Sequence, residues 1–416
     1  MRYAISPVSA VAERAATADS DSGTTSIRFG DVLFHLTEEP RWGGLAKAAR
    51  GSGAVLKRLS HTTPRERLHL VVQKGRLFQQ EHPDVPVLLD KGRYLVVDLD
   101  PRKAKKWDQG HRPCFAIRPL PETAVAFDAP APRASRSAVL PWVQALVQRI
   151  TRAPFESDLK QLVAFPTRFS TSSHYAAAAK LARTQLKQLG FKVRLQTITV
   201  NGGSSFNVIA DKAGQGPTPR GVVIVGAHLD SINISGGPTA PAPGADDDGS
   251  GSAGVLSIAR ALKDHAAVHD LRLILFGGEE EGLFGSRQYV ASLSSAQRKR
   301  IRAVVHMDMI ATLNTAQPTV LLEGAALSQA VIDGLADAAA TYSQLRVQTS
   351  LHPFNSDHVS FLDANIPAVL TIEGTDDANH NIHSAHDTLA HINFELALEV
   401  LRMNLAFVAQ AIGKMP

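Results

Sequence analysis

Cysteine is almost absent from this chain, because Cys114 is the only one among 416 residues. A single cysteine excludes an intrachain disulfide and a thiolate zinc cluster, and it leaves the redox compartment open. Aromatic residues are few, at 6%. No apolar run reaches the roughly 18 residues that a membrane span needs. With 44% hydrophobic residues, the composition is that of a globular protein with a sizeable core.

The chain start also lacks a long apolar run, because Glu13 and Arg14 interrupt it early. Such a run is too short for a secretory signal. The sequence as given therefore predicts a cytoplasmic protein if Met1 is the true start.

The chain also lacks a strong excess of one charge, although basic and acidic residues are unevenly distributed along it. Residues 1–137 hold 22 Lys+Arg against 15 Asp+Glu, and the remainder holds 22 against 24. Apart from Lys103, Lys105 and Lys106, the basic residues are scattered and form no nucleic-acid recognition motif. We therefore expect neither a nucleic acid nor a membrane as partner. The basic front is expected to be solvated or to dock on the acidic part.

Composition divides the chain into four parts. Residues 1–24 are rich in Ala, Ser, Thr and Asp, which predicts disorder. Residues 25–120 carry short strand-like runs and predict a small β-rich or α+β module, and the prolines of 121–137 predict a linker. In residues 138–416 helical and strand-like segments alternate, which is typical of an α/β sheet domain.

Metal-capable side chains follow three of the predicted strands in this α/β part. His228, Glu280 and Asp308 each stand just after a run that predicts a buried strand. Ligands in open α/β sheets gather at the carboxyl ends of the central strands. We therefore expect these three side chains to lie close together.

Two segments place three carboxylates in a row, Asp246–Asp248 and Glu279–Glu281. Such crowding is costly unless a cation or a helix N-terminus offsets it. Helix capping would explain one aspartate of the first segment, so we predict that the middle one, Asp247, bridges two ions. In the second segment Glu280 is predicted to bind an ion, Glu279 to act beside it as a base, and Glu281 to be solvated.

Histidines complete the predicted site. Asp230 follows His228 by two residues, so an extended backbone would point both to one side. There Asp230 could accept the second ring proton of His228; the alternative is a turn-forming aspartate. Asp308 stands among apolar residues, where an unpaired charge is expensive, so a ligand role is favoured. Of the histidines in 380–388, His383 is favoured.

Four further residues receive blander predictions. Ser356 or Asp357 is predicted to be the N-cap of a short helix, and a role behind the metal site is the weaker alternative for Asp357 or His358. His306 is predicted to be a hydrogen-bonded histidine near the core.

The predicted ligands suit a pair of zinc ions, and Mn²⁺ or Co²⁺ could replace zinc on the same side chains. With one carboxylate bridging, each ion has three protein ligands and an open position, which is typical of catalytic sites. The five ligands are His228, Asp247, Glu280, Asp308 and His383.

In order, these motifs resemble the M28 family of co-catalytic zinc aminopeptidases, over roughly residues 140–416. The resemblance implies a three-layer α/β/α sandwich of the zinc-exopeptidase type, with a mostly parallel central sheet and often a cis peptide bond after the bridging aspartate. It also implies hydrolysis at the N-termini of peptides or proteins. The motifs are Gly226-Ala-His-Leu-Asp-Ser231, Pro243-Gly-Ala-Asp-Asp-Asp-Gly-Ser-Gly251, Glu279-Glu-Glu-Gly-Leu-Phe-Gly-Ser286, Met307-Asp-Met309 and His383-Ser-Ala-His-Asp-Thr388.

The resemblance assigns a role to each position. It implies that His228 and Asp308 hold one zinc, that Glu280 and His383 hold the other, and that Asp247 bridges them; Glu279 is the general base and Asp230 backs the first histidine. One departure concerns a tyrosine that some members use to stabilise the oxyanion. Residues 350–356 contain none. The oxyanion partner is therefore unassigned.

Two other functions are weighed against this one. A metallo-carboxypeptidase or dipeptidase of the same fold would need basic groups for a substrate carboxylate, and only Arg287 is an obvious candidate. A non-catalytic interaction domain would be expected to lack ligands, whereas here all five are present. The family resemblance also makes secretion or a periplasmic location compatible with the chain, with the front module as an accessory domain or a propeptide-like segment.

Overall fold

The computed structural model describes residues 2–7, 25–38, 46–47, 57–108, 115–121, 125–127 and 137–415. The chain divides into two compact units, Met1–Pro130 (unit 1) and Ala131–Pro416 (unit 2). The disorder predicted for 8–24 and most of the linker predicted for 121–137 lie outside the described residues.

Unit 1 contains two sheets. The first has the strand order β4-β1-β3-β2-β9 and the second β6-β7-β5-β8. The described strands are β1 (Arg2–Pro7), β2 (Thr25–Phe29), β3 (Val32–Thr37), β4 (Lys57–Thr62), β5 (Leu68–Gln73), β6 (Val87–Lys91), β7 (Tyr94–Asp98), β8 (Phe115–Pro119) and β9 (Val125–Phe127), and the helices are α1 (Leu77–Glu81) and α2 (Pro101–Asp108).

Two features of unit 1 differ from the sequence-based expectation. Residues 2–7 are not disordered: they form β1, which pairs antiparallel with β3 and buries Tyr3 and Ala4. The apolar run 27–36 is a hairpin, not a single strand, because β2 and β3 pair antiparallel across a turn at Gly30, whose φ is 60°. Glycine adopts this left-handed backbone at little steric cost.

A single eight-stranded sheet forms the centre of unit 2. Its order is β10-β11-β13-β12-β14-β17-β15-β16. The central strands β13, β12, β14 and β17 run parallel, while β10, β11 and β15 join by antiparallel pairing. The strands are β10 (Lys192–Val200), β11 (Gly203–Lys212), β12 (Val222–His228), β13 (Asp270–Phe276), β14 (Ile301–Met307), β15 (Thr319–Gly324), β16 (Arg346–Ser350) and β17 (Ala368–Glu373).

Helices cover both faces of this sheet. The described helices of unit 2 are α3 (Pro141–Val147), α4 (Arg152–Val163), α5 (Ser173–Gln188), α6 (Gly251–Leu262), α7 (Phe284–Ala291), α8 (Ser295–Arg300), α9 (Gln329–Tyr342), α10 (His358–Asp363) and α11 (Phe394–Ile412).

Side chains of the central strands alternate between the two faces of the sheet, and each face has its own apolar core. Val223 and Val225 of β12 pack with residues of α3 to α6, α9 and α11, whereas Ile224 packs with residues of α7 and α10 on the other face. Successive side chains of a strand point to opposite faces, so a strand buried on both faces is apolar throughout. The predicted α/β/α sandwich with a mostly parallel central sheet is confirmed, as is the small β-rich front module.

No helix in the described part of the chain is long and apolar enough to cross a membrane.

Candidate metal centre

Three parallel strands bring the first predicted site residues to one edge of the sheet. Strand β12 ends at His228, β13 ends shortly before Glu280, and β14 ends directly before Asp308. Because β12 runs parallel to both β13 and β14, their carboxyl ends meet at the same edge. All three side chains are buried there.

Asp247 lies between the two predicted histidine ligands. Its Oδ1 is 3.0 Å from Nε2 of His228, and its Oδ2 is 3.0 Å from Nε2 of His383. The aspartate belongs to the turn Ala245–Ser250 that precedes α6, and the peptide bond between Asp247 and Asp248 is cis. The two oxygens of one carboxylate therefore face two different imidazoles.

Two carboxylates accompany these histidines, one on each side of Asp247. The Asp308 Oδ1 atom is 3.6 Å from Nε2 of His228, and Glu280 Oε2 is 2.9 Å from Nε2 of His383. The ligands thus divide into the pairs that the family resemblance implies.

Glu279 lies near the first pair, with its Oε2 atom 3.9 Å from Nε2 of His228. Two sets of three ligand atoms lie within 4.8 Å of one another: those of His228, Glu279 and Asp308, and those of His228, Asp247 and Glu280. The structure therefore brings together every residue predicted for metal binding or proton transfer.

The separations fit a metal centre. Ligand atoms around a tetrahedral zinc ion, with bonds of about 2.0–2.1 Å, are roughly 3.3 Å apart. The observed contacts of 2.9 to 3.6 Å between imidazole nitrogen and carboxylate oxygen of the predicted ligands bracket that value. Neutral imidazole and carboxylate are also the donors that zinc accepts.

The electrostatics of His228 point the same way. Burial by itself lowers the pKa of this imidazole, but the carboxylates of Glu279, Asp230, Asp247 and Asp308 more than offset it and raise the pKa well above its ordinary value. A buried proton that several carboxylates hold in place is one that a divalent cation can replace, since metal binding releases protons from ligands.

Asp230 lies behind His228, but its closest contact with the ring is not the predicted one. The His228 Nδ1 atom is 3.2 Å from the backbone oxygen of Asp230 and 3.7 Å from Oδ1 of its carboxylate. The Oδ2 atom accepts hydrogen bonds from Ser170 Oγ at 3.0 Å and from the amide of Glu280 at 3.1 Å. Asp230 therefore links the His228 segment to the Glu280 segment.

The sequence predicts that Glu281 is solvated, but the structure shows that its side chain is buried. Its Oε2 atom is 2.8 Å from Ser170 Oγ, the hydroxyl that also contacts Asp230 and carries a single proton. Burial, together with the charge of Asp230, raises the pKa of Glu281 to about 9. The raised pKa favours the neutral form of this carboxyl group beside Asp230.

The segment before α10 also differs from the prediction. Asp357 occupies the N-cap position, but its side chain accepts no capping hydrogen bond; one carboxylate oxygen is 3.7 Å from Nε2 of His306. Ser356 donates a hydrogen bond of 2.8 Å to Oδ2 of Asp308. Ser356 thus supports the predicted ligand Asp308. Burial raises the pKa of the Asp357 carboxyl group to about 7.

The model of peptidase family M28 matches residues 207–408. Leucine aminopeptidase 1 of Grosmannia clavigera is 30% identical over 287 residues, which are 63% of this chain and 68% of that protein. Leucine aminopeptidase 1 of Metarhizium robertsii is 29% identical over 290 residues, 64% of this chain and 71% of that protein.

The chain belongs to peptidase family M28. The predicted family and enzyme class, a hydrolase of the aminopeptidase type, are thereby confirmed.

Solved structures agree on the fold. LapB from Legionella pneumophila has a TM-score of 0.61 at 20% identity and covers 83% of this chain and 99% of its own. A zinc aminopeptidase from Bacillus subtilis has a TM-score of 0.55 at 19% identity and covers 67% of this chain and 97% of its own. The share that LapB covers is larger than unit 2 alone, so the likeness in fold includes part of unit 1.

Proposed function

We propose that this M28 enzyme removes N-terminal residues from peptides at a centre of two zinc ions, with Glu279 as the general base. The observation that carries the proposal is the position of Asp247, whose two oxygens each lie 3.0 Å from a different histidine. A carboxylate that faces two imidazoles in this way can bridge two ions.

Each ion would have one histidine and one carboxylate besides the shared aspartate. His228 and Asp308 would hold one ion, and Glu280 and His383 the other, in agreement with the contacts of 3.6 and 2.9 Å. Three protein ligands per ion leave a position for water and substrate. Mn²⁺ or Co²⁺ would bind the same set, so the native metal is a separate question.

The bound ions would polarise the scissile carbonyl and make a water molecule acidic. Glu279 would take the proton of that water on its carboxylate and return it to the nitrogen of the leaving amine. The carboxylate lies within 3.9 Å of the His228 ring, beside the predicted ligands. Asp230 would hold the His228 and Glu280 segments together by accepting a hydrogen bond from the amide of Glu280.

The test is a panel of aminoacyl nitroanilides, measured with the Glu279→Gln variant and with chelator. Loss of a general base costs roughly 10²–10⁴-fold in rate, so we expect kcat to fall by that factor while two zinc ions per chain remain bound. Chelator should abolish the activity of the parent protein, and zinc should restore it.

A matched control is Glu156→Gln, which changes a carboxylate that contacts Arg152 and Lys160 on the surface of α4. It should retain full activity. Cleavage of substrates with a blocked N-terminus and none of the nitroanilides would instead favour a carboxypeptidase. Fewer than one divalent ion per chain in zinc-replete protein would contradict the metal centre and favour an interaction domain.

A further inference from the structure

Charged side chains outside the predicted ligand set contact the backbone of the segment that carries Asp247. We define the bridging segment as residues 243–247, from Pro243 to Asp247. Two of these side chains are Arg168, in the loop after α4, and Asp387, four residues after His383.

Arg168 contacts the carbonyl groups at the start of the bridging segment. Its Nη1 donates to the carbonyl oxygen of Pro243, and its Nη2 donates to that of Gly244 at 2.9 Å. Its Nε donates at 2.7 Å to the carbonyl oxygen of Leu229, the residue after His228. One guanidinium group therefore joins the bridging segment to the strand end that carries His228.

Asp387 contacts the amide groups at the other end of the segment. Its Oδ1 and Oδ2 atoms accept hydrogen bonds of 2.9 Å from the amides of Asp246 and Asp247, respectively. Its backbone oxygen accepts from the amide of Ala245 at 3.1 Å. Because Asp387 follows His383 closely, the same contacts join the bridging segment to the segment of the second histidine.

Both side chains are buried, Arg168 fully and Asp387 with 2% exposure. Arg168 donates to backbone carbonyls. Burial lowers the pKa of its guanidinium group, and the nearby acids, among them Asp387, Asp248 and Asp230, offset this effect only in part. A buried charge without a close ion pair is expensive. The planar guanidinium group of Arg168 presents its N–H donors in a fixed geometry, which the flexible side chain of a lysine does not.

The backbone leaves little freedom for another arrangement. Gly244 has a φ of 52°, and a Cβ atom there would stand 2.4 Å from the backbone oxygen of Asp247 and 2.5 Å from Cβ of Ser231. The hydroxyl of Ser231 donates to the carbonyl oxygen of Ala242 at 2.7 Å. The bridging segment therefore passes through a tight space, in which Arg168 contacts its carbonyl groups and Asp387 its amide groups.

We propose that Arg168 and Asp387 are positioning residues that grip the bridging segment by its carbonyl and amide groups and thereby fix the Asp247 carboxylate between the two histidines. The proposal rests on the dizinc function proposed above. Outer contacts of this kind typically change metal affinity or activity by about 10–100-fold.

The test compares Arg168→Lys, Arg168→Gln and Asp387→Asn in the full chain. Zinc affinity is measured by competition with a chromogenic chelator, Co²⁺ spectra report the ligand geometry, and hydrogen exchange reports the amides of residues 245–247 in metal-free protein. We expect each variant to bind at least one zinc about 10–100-fold more weakly. The amides should exchange at least about tenfold faster, which corresponds to a partial loss of their protection.

A matched control is Arg272→Lys. Arg272 is also largely buried and bonds Asp211 at 2.6 Å and Tyr289 at 2.9 Å, remote from the bridging segment. It should lower thermal stability without changing zinc affinity, the Co²⁺ spectrum or exchange at 245–247.

The pair of Arg168 variants separates geometry from charge. Lysine keeps the charge and loses the fork, whereas glutamine loses both. If the charge alone mattered, Arg168→Lys would bind zinc normally and Arg168→Gln more tightly, and the proposal would be overturned.

Hydrogen exchange keeps the two proposals distinguishable. Unchanged exchange at 245–247 in all three variants would overturn the clamp whatever the metal does. Faster exchange with unchanged zinc affinity would overturn its role in positioning Asp247. Fewer than two ions in the parent protein would overturn the dizinc function, while the exchange data would still decide whether the clamp exists.

Discussion

At the scale of single residues, a pair of buried carboxyl groups lies next to the metal centre. Glu373, at the end of β17, and Asp246 are both fully buried and are hydrogen-bonded to each other. The Nδ2 atom of Asn379 donates to both carboxyl groups, at 3.0 Å to Asp246 and 3.1 Å to Glu373. Burial, and then the charge of Asp246, raises the pKa of Glu373 well above its ordinary value.

This pKa predicts a loss of stability on the alkaline side. A raised pKa in the folded state gives a contribution that is fully present below the ordinary value of a glutamate and is lost as the pH rises through the folded value. Glu373→Gln keeps a neutral side chain of the same size at every pH. We therefore expect its Tm to fall less than that of the parent as the pH rises above 4.5, the ordinary pKa of a glutamate, to the alkaline side.

The measurement is thermal unfolding of zinc-replete protein across this pH range. Asp90→Asn, at an exposed position in unit 1 where the carboxylate contacts Arg76, is the control and should follow the parent curve. Equal slopes for the parent and Glu373→Gln would contradict the buried proton.

The residues of the candidate site differ in how far the sequence predicts their roles. Two rows of three acids and two histidines in family order identify the candidate ligands, because crowded carboxylates need a cation. Arg168 and Ser170 belong to no such pattern, and their contacts come from a loop some 60 residues before His228. Glu281 was predicted to be solvated because the sequence does not show that Ser170 would cover it.

At the scale of elements, one histidine joins three strands of unit 1. His35 lies on β3; its Nε2 contacts Ser6 Oγ on β1 at 2.8 Å, and its Nδ1 contacts Ser26 Oγ on β2 at 2.8 Å. Burial lowers the pKa of His35 from 6.5 to about 4. Both serine contacts suit the neutral imidazole, which has one donor and one acceptor nitrogen.

We expect this sheet to weaken in mild acid. The unfolded histidine gains a proton near pH 6.5 and the folded one only near pH 4, so stability falls as the pH drops through that interval. A shift of this size corresponds to about 3 kcal/mol once the pH is below the folded pKa. Hydrogen exchange of the amides in 32–37 should therefore accelerate between about pH 6.5 and pH 4, after correction for the intrinsic rate.

His35→Gln is the control for this prediction, because glutamine also offers a donor and an acceptor but does not titrate. Its corrected exchange should change little over the same interval. If parent and variant responded to pH equally, the acid sensitivity would come from other groups.

Elements were predicted unevenly, for physical reasons. The apolar periodicity of the last helix, α11, is long enough to predict it from the sequence, and Asn393 caps the helix by accepting a 2.9 Å hydrogen bond from the amide of Leu396. The pattern over 142–152 predicts one helix, but the structure ends α3 at Val147 and begins α4 at Arg152. Strand β16 was missed because its burial is partial and its composition polar.

At the scale of the whole molecule, every residue of the candidate site lies in unit 2. The described ligands run from His228 to His383, and the clamp and its supports begin at Arg168. Unit 2 also has two apolar cores of its own, one on each face of its sheet. We predict that unit 2, whose boundary with the front module the sequence places near residue 138, folds independently of that module.

We expect a chain that begins at Ala138 to fold and to bind zinc as the full chain does. Its sheet, both cores and the site are complete without unit 1. If the front module covers the site as a propeptide would, kcat/KM for a leucine nitroanilide should be higher in the short chain, by about tenfold for each 1.4 kcal/mol of docking free energy.

Three measurements decide the outcome: zinc content, Tm and kcat/KM of both chains, with the full chain cut in the linker as a further sample. Equal kcat/KM in all samples would contradict a covering role and leave unit 1 as an accessory module. A short chain that fails to fold or bind zinc would contradict the autonomy of unit 2. Higher activity of the short chain, reversed when unit 1 is added back, would support docking of the basic front module on the acidic catalytic part.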